Sequence, residues 1–116
     1  MKKDPDVLLE HILESIERIE MYLHGKTQDN FLNAIDVQDS VLYRLAVIGE
    51  ASNAVPKNIQ DSYSDIRWRD IVGLRNIVIH EYFGVSLQEV WDTVQNDLPV
   101  FKKQVEAILS GISKEK

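Results

Sequence analysis

Cysteine is absent from this chain of 116 residues, so it forms no disulfide and holds no thiolate-bound metal. No apolar run approaches the ~20 residues that a membrane-spanning helix needs. The first six residues, MKKDPD, lack the apolar core of a signal peptide, and we therefore expect a cytoplasmic protein. With only 3 prolines and 5 glycines, the chain has few residues that interrupt helices.

Positive charge is also scarce, because 13 Lys and Arg face 19 Asp and Glu, for a net charge of −6. Such a chain is a poor candidate for nonspecific nucleic-acid binding, and contact with RNA would need a local basic patch. Four arginines are candidates for that patch: Arg44, Arg67, Arg69 and Arg75. The alternative is that they are solvated or paired with Asp65, Asp70 and Glu81.

Apolar residues recur at helical spacing through most of the chain, and no stretch alternates with the period of a strand. The length fits a single domain over residues 1–116. Asp4 and Pro5 are suited to begin the first helix, and a short helical piece is expected around Phe31. Long helices are predicted over residues 6–24, 36–54, 67–82 and from 86 onward.

The last helix has the clearest signals. Ser86 and Glu89 match a capping box, and Pro99 should kink or restart the helix. Its apolar residues alternate by four and three, close to a heptad seam: Leu87, Trp91, Val94, Leu98, Phe101, Val105 and Ile108. Residues 57–65 are predicted to be a polar loop.

Long amphipathic helices with short connections predict an all-α, up-and-down bundle of four to five helices. The heptad-like seam and the two tryptophans suggest a helix face that a partner buries, which favours a homodimer.

Residues 73–84, GLRNIVIHEYFG, place polar side chains inside an otherwise apolar run. Asn76 and His80 share a helix face, whereas Arg75 and His80 are about 140° apart and would have to converge at a cleft. His can move a proton near neutral pH, and Arg can neutralise phosphate oxygens, so the pair suits metal-free work on a phosphodiester. An isolated Arg–His pair is common in proteins, but the string Arg75-Asn76-x-x-x-His80-x-Tyr82 is more specific.

That string resembles the motif of the HEPN superfamily, and within it the HepT-type ribonuclease toxins of prokaryotes. The superfamily pattern is an Arg, usually followed by a polar residue, with a His four to six residues after the Arg. The HepT type adds a Tyr two positions after the His, which is Tyr82 in this chain. The resemblance also covers residues 47–55, 67–76, 80–84 and 90–99.

The resemblance implies a homodimeric helical bundle with two motifs facing one cleft. It implies the toxin of a type VII toxin–antitoxin module, an endoribonuclease that needs no metal or other cofactor. The partner would be an MNT-type nucleotidyltransferase antitoxin that silences the toxin by attaching AMP to Tyr82. Glu20 and His24 could form a ligand pair, but the paired E-x-x-H motifs of a di-iron bundle are missing, so we expect no metal site.

Side-chain chemistry then suggests roles for the motif residues in attack by a ribose 2′-hydroxyl. His80 would act as general base or acid, Arg75 would stabilise the transition state, and Asn76 would orient His80 or contact phosphate. Glu50 resembles a buried carboxylate that could hydrogen-bond the motif, although such a Glu is more often structural. Trp68 is expected to be a core or interface anchor.

Two alternatives belong to other functional classes. The chain could be a non-catalytic nucleotide-binding or adaptor domain, because an Arg/His cleft can also hold a nucleotide phosphate. It could instead serve only as the helical partner of the nucleotidyltransferase, with Tyr82 as a modification site.

Overall fold

A computed structural model describes residues 4–76 and 86–115, which are helical over most of their length and contain no strand. The all-α class predicted from the sequence is confirmed. None of the described helices is long and apolar enough to cross a membrane. The helices are α1 (Pro5–Leu23), α2 (Gln28–Leu32), α3 (Ile35–Ala54), α4 (Lys57–Ser62), α5 (Trp68–Val72), α6 (Leu87–Asp92) and α7 (Leu98–Glu115).

The core is formed by the apolar stripes of the long helices α1, α3 and α7. The packing of α1 on α3 is the most extensive contact between helices in the described part of the chain, and α7 also packs against α1. The residues of the α1 stripe are all buried: Leu8, Ile12, Ile16, Ile19 and Leu23. Val41, Leu45 and Ile48 of α3 are buried as well. At the surface, Lys102 Nζ of α7 donates to Glu20 Oε1 of α1 over 2.8 Å. This hydrogen bond raises the pKa of the Lys102 ammonium.

The heptad-like seam is buried by the chain's own helices. Its members Val94, Leu98 and Phe101 are at most 8% exposed, and Leu87 and Trp91 pack beside the core. The seam therefore needs no second copy to cover it, and it ceases to support a dimer. The homodimer stays a prediction that rests on the family resemblance.

Pro99 interrupts the last helix in the way that its chemistry requires. A π-helical turn over Thr93–Asp97 joins α6 to α7, and Pro99 is the second residue of α7. Proline offers no N–H, and its ring crowds the carbonyl four residues earlier, which here belongs to Gln95 in the π turn. The predicted start is also confirmed, because the Ser86 hydroxyl accepts from the Glu89 N–H over 3.2 Å.

The prediction of a loop over residues 57–65 is wrong, because α4 occupies its first half. Gln60 explains how this short polar helix is held. Its side-chain amide donates to the carbonyls of Ser52 and Val55, which lie at the end of α3. Ile59 is the one apolar residue that α4 packs against the core, too few to produce a helical pattern in the sequence.

The helix predicted over 67–82 is interrupted inside the described part. It begins at Trp68 and ends at Val72, and Gly73 caps it. Residues 74–76 are again helical, and the rest of the predicted helix lies outside the described residues. The described chain thus has three long helices and four short ones, where the sequence had favoured four long ones.

Gly49 allows the segment that carries Arg75 to lie directly against α3. A Cβ added at Gly49 would lie 2.7 Å from the backbone N of Arg75 and 3.0 Å from the carbonyl O of Val72. Real Cβ atoms do not approach backbone so closely, so only glycine fits here. Gly49 therefore marks close packing between α3 and this segment, beside the candidate site.

Trp68 anchors the start of α5. Its ring is 8% exposed and meets the ring of Phe101 edge-on, with centroids 6.1 Å apart. Its indole N–H donates to the carbonyl O of Tyr63 over 3.1 Å, which satisfies the one polar group of the side chain. The prediction that Trp68 is a core anchor is confirmed.

We predict that Gly49→Ala destabilises the protein by about 1–3 kcal/mol, because the new methyl group must push the Arg75 backbone away. At an ordinary helix position the same change stabilises by about 1 kcal/mol, so the sign is diagnostic. Gly111→Ala is the matched control, since the nearest obstacle to its Cβ is the hydroxyl end of the Tyr63 side chain. Urea unfolding measures both, and equal effects at the two positions would contradict the close approach.

Trp68→Ala should lower the free energy of unfolding by about 3–5 kcal/mol, because it empties a large buried volume. Trp68→Phe retains most of the apolar contact and loses the indole hydrogen bond, for a smaller loss of about 1–2 kcal/mol. Chemical denaturation followed by circular dichroism measures both variants. A loss for Trp68→Ala no larger than that for Trp68→Phe would show that the Phe101 contact contributes little.

Candidate functional site

Arg75 joins two regions of the chain that are far apart in sequence. It lies three residues after the end of α5, and its Nη1 donates to Glu50 Oε1 of α3 over 3.2 Å. The side chains of Arg75 and Glu50 are 33% and 62% exposed. The hydrogen bond expected between Glu50 and the motif is therefore present, and the guanidinium that takes part in it is open to solvent.

The expectation that Glu50 is buried is wrong. The buried stripe of α3 runs through Val41, Leu45 and Ile48, and Glu50 lies on the opposite side of the helix. Gly49, beside it, brings the backbone of Arg75 within contact distance, so an exposed Glu50 can still reach the guanidinium. The carboxylate thus faces the motif from the surface of α3.

Of the predicted site residues, the structure brings Arg75 and Glu50 into contact. Asn76 follows Arg75 on the surface, and its backbone N–H donates to the carbonyl O of Gly73 over 3.0 Å. His80 and Tyr82 lie outside the described residues.

Two further arginines of the predicted basic patch, Arg67 and Arg69, are not paired with the aspartates beside them in the sequence. Arg67 and Arg69 are exposed, and within residues 4–76 and 86–115 neither forms a salt bridge with Asp65 or Asp70. Pairing with these two aspartates is therefore not observed, and Glu81 lies outside the described range. The exposure of Arg67 and Arg69 agrees with the alternative that they are solvated, and solvated cations can contact phosphate.

Sequence analysis did not single out Tyr43, a large aromatic residue at the surface. Its side chain is 61% exposed, and the guanidinium carbon of Arg44 lies 5.3 Å from its ring centroid. Tyr43 precedes Glu50 by seven residues, so both lie on the same side of α3. That spacing was the available signal. An exposed ring of this kind can stack on a nucleobase.

A separate cleft of about 380 Å³ lies between α5 and α7. Three carboxylates line it, from Asp65, Asp70 and Asp97, against the single guanidinium of Arg67. This surface disfavours a polyanion because like charges repel.

The described residues contain no cluster of three or more His, Cys, Asp or Glu that could hold a metal ion. The carboxylate of Glu20, the candidate partner of His24 in a ligand pair, is bound by Lys102 Nζ.

The chain was compared with known proteins. The sequence profile of the HepT-like ribonucleases matches residues 12–108. A Methanocaldococcus jannaschii protein, named gamma-glutamylcyclotransferase and proposed RNase, is 40% identical over the whole chain, which spans 52% of that relative's length. No solved structure matches the chain.

Two relatives are matched along nearly their full length. A proposed RNase of Caldanaerobacter subterraneus subsp. tengcongensis is 38% identical over 92% of this chain and 96% of its own. A Thermococcus cleftensis protein named "Probable ribonuclease HepT" is 35% identical over 93% of this chain and 98% of its own. The profile match covers the core helices together with the Arg75–Glu50 site. The chain therefore belongs to the HepT-like ribonuclease family.

Proposed function

We propose that this protein is a metal-independent endoribonuclease and the toxin of a type VII toxin–antitoxin module. The observation that carries the proposal is the solvent-open guanidinium of Arg75, held at the surface of α3 within the family's motif. The Arg75 side chain is one-third exposed, and a guanidinium presents N–H donors that match the oxygens of a phosphodiester. The names of the full-length relatives point to the same activity.

The proposed reaction is attack by a ribose 2′-oxygen on the adjacent phosphorus. The 2′-O–P bond forms, the P–O5′ bond breaks, and the products are a 2′,3′-cyclic phosphate and a free 5′-hydroxyl. The proton of the 2′-hydroxyl goes to a base, and the leaving 5′-oxygen receives a proton from an acid. We assign His80 to this proton transfer, Arg75 to charge on the phosphorane-like transition state, and Asn76 to orienting His80 or contacting phosphate.

A single His80 cannot easily be base and acid within one step. A homodimer that places two motifs in one cleft would supply two copies, one for each proton. This is the chemical reason for proposing a dimer, and it replaces the argument from the heptad seam.

An acidic chain can bind RNA only where its surface carries a cluster of positive charge. The net charge of −6 opposes approach over most of the surface, whereas Arg67 and Arg69 lie unpaired a few residues before Arg75 in the described chain. We propose that Arg69, which does not line the acidic cleft between α5 and α7, contacts a phosphate that flanks the scissile bond. Its contribution should fall as the salt concentration rises.

We predict that purified protein cleaves labelled RNA in excess EDTA and leaves 2′,3′-cyclic phosphate ends. Arg75→Ala and His80→Ala should each lower the rate by at least ~100-fold, because they remove transition-state charge stabilisation and proton transfer. Denaturing gels measure the rate, and mass spectrometry identifies the ends.

Glu14→Ala is the control, since it removes an exposed carboxylate that pairs with Arg18 within α1. Full-rate cleavage by either motif variant would disprove the mechanism. A wild-type protein that binds ATP or AMP but leaves RNA intact would establish the nucleotide-binding alternative. That result requires material shown by intact mass to carry no AMP.

We propose that the antitoxin is an MNT-type nucleotidyltransferase that silences this chain by modifying Tyr82. The Tyr82 oxygen would attack the α-phosphorus of ATP, forming a phosphodiester to AMP and releasing pyrophosphate. The added phosphate is a bulky anion in the motif, and it would exclude RNA by occupancy and by charge.

Co-expression with that nucleotidyltransferase should add the mass of AMP to the wild-type chain and abolish cleavage. Tyr82→Phe should gain no mass and should stay active beside the same partner. The exposed Tyr43→Phe is the matched control and should behave as wild type. Modification that persists in Tyr82→Phe would place the acceptor elsewhere.

A further inference from the structure

We propose that Glu50 is a positioning residue for Arg75 and that its charge at the same time weakens RNA binding. The inference rests on the proposed function and extends it to a residue outside the motif. It predicts an unusual combination: removal of Glu50 tightens RNA binding and slows cleavage. A residue that only stabilises the fold would produce neither change once the variant is folded.

Glu50 binds Arg75 through one of its hydrogen-bond donors. A guanidinium has five N–H donors, and Arg75 contacts Glu50 through one hydrogen bond, from Nη1 to Oε1 over 3.2 Å. Within the described residues no second carboxylate pairs with this side chain. Among the described residues, therefore, no carboxylate competes with phosphate oxygens for the other donors of Arg75 while Nη1 is bound to Glu50.

The support behind Glu50 is rigid. Glu50 lies within the 20-residue helix α3, and its neighbour Gly49 packs against the Arg75 backbone. A free Arg side chain occupies many rotamers, and a fixed acceptor at one end limits them. Glu50 is thus placed to hold the guanidinium in one orientation before RNA binds, so that less ordering is left for the reaction itself.

Folding does not account for this pair. Both side chains are substantially exposed, and exposed ion pairs contribute little to stability. The pair Arg18–Glu14 is similarly exposed, at 44% and 54%, and has a similar N–O distance of 3.3 Å. It lies within one helix, whereas Glu50 links α3 to the motif segment. The difference between the pairs is therefore what each one holds in place.

The charge of Glu50 has the opposite effect on the substrate. Any phosphate that reaches the guanidinium of Arg75 also approaches a carboxylate bonded to that guanidinium. Because like charges repel, Glu50 should reduce affinity for RNA, most strongly at low salt. Position and charge can be separated, since Gln keeps an oxygen that accepts from Nη1 and loses the charge.

The test compares wild type, Glu50→Ala, Glu50→Gln and the control Glu14→Ala. Fluorescence anisotropy with a 2′-O-methyl RNA, which lacks the attacking hydroxyl, gives the Kd. Single-turnover cleavage of the matching RNA at saturating protein gives the rate of the chemical step. Circular dichroism melting verifies that each variant is folded.

We expect Glu50→Ala to lower the Kd by about 2–5-fold at low salt and the single-turnover rate by about tenfold. Glu50→Gln should lower the Kd as much but recover most of the rate, because its amide oxygen still orients Arg75. Glu14→Ala should leave both quantities within about twofold of wild type, because its carboxylate pairs with Arg18 and not with Arg75.

The outcomes that overturn the inference are distinct from those that overturn the function. Cleavage by wild type with an unaltered rate in folded Glu50→Ala rejects the positioning role alone. A Kd in Glu50→Ala equal to that of wild type rejects the charge effect. Absence of cleavage by unmodified wild type rejects the proposed function and the positioning role together.

Discussion

The candidate site depends on the contact between the backbone of α3 and the backbone that follows α5. At Gly49 these two backbone segments approach so closely that a methyl group has no room. Backbone packed on backbone permits little sliding, because there is no flexible side chain between the two segments to absorb it. Arg75 is thereby held against α3, and its guanidinium reaches Glu50 from there. If the two backbones were farther apart, Arg75 would lie on a surface segment that is not held against α3.

The long helices were predictable because their burial follows one simple rule. The apolar stripes of α1 and α3 recur at helical spacing, and each stripe proved to be the buried face. The same rule failed for α4, where polar residues fold into a helix because Gln60 caps the end of α3. It failed again at Gly73, which ends α5 inside an uninterrupted apolar run. Both failures concern short elements whose limits depend on tertiary contacts that periodicity does not record.

The sequence proposes residues for the site but not their pairing. The motif resemblance singles out Arg75 without any structure, and its role in the site stays a prediction. The contact with Glu50 spans 25 positions, and spacing carries no information about such a pair. Glu50 was also assigned to the wrong environment, since a carboxylate amid apolar residues on a helix resembles a buried one. Its true exposure depends on which side of α3 the other helices cover.

Trp68 and Trp91 are in different surroundings, and this gives the protein two separate optical reporters. Trp68 is buried edge-on against Phe101 at the start of the segment that leads to Arg75, whereas Trp91 lies on α6 with its ring 5.7 Å from that of Phe31. Displacement of α5 would expose the Trp68 indole to water and shift its emission to longer wavelength. A Trp91→Phe background would isolate that signal. Movement beside Arg75 could then be followed in real time by intrinsic fluorescence, without a label at the site.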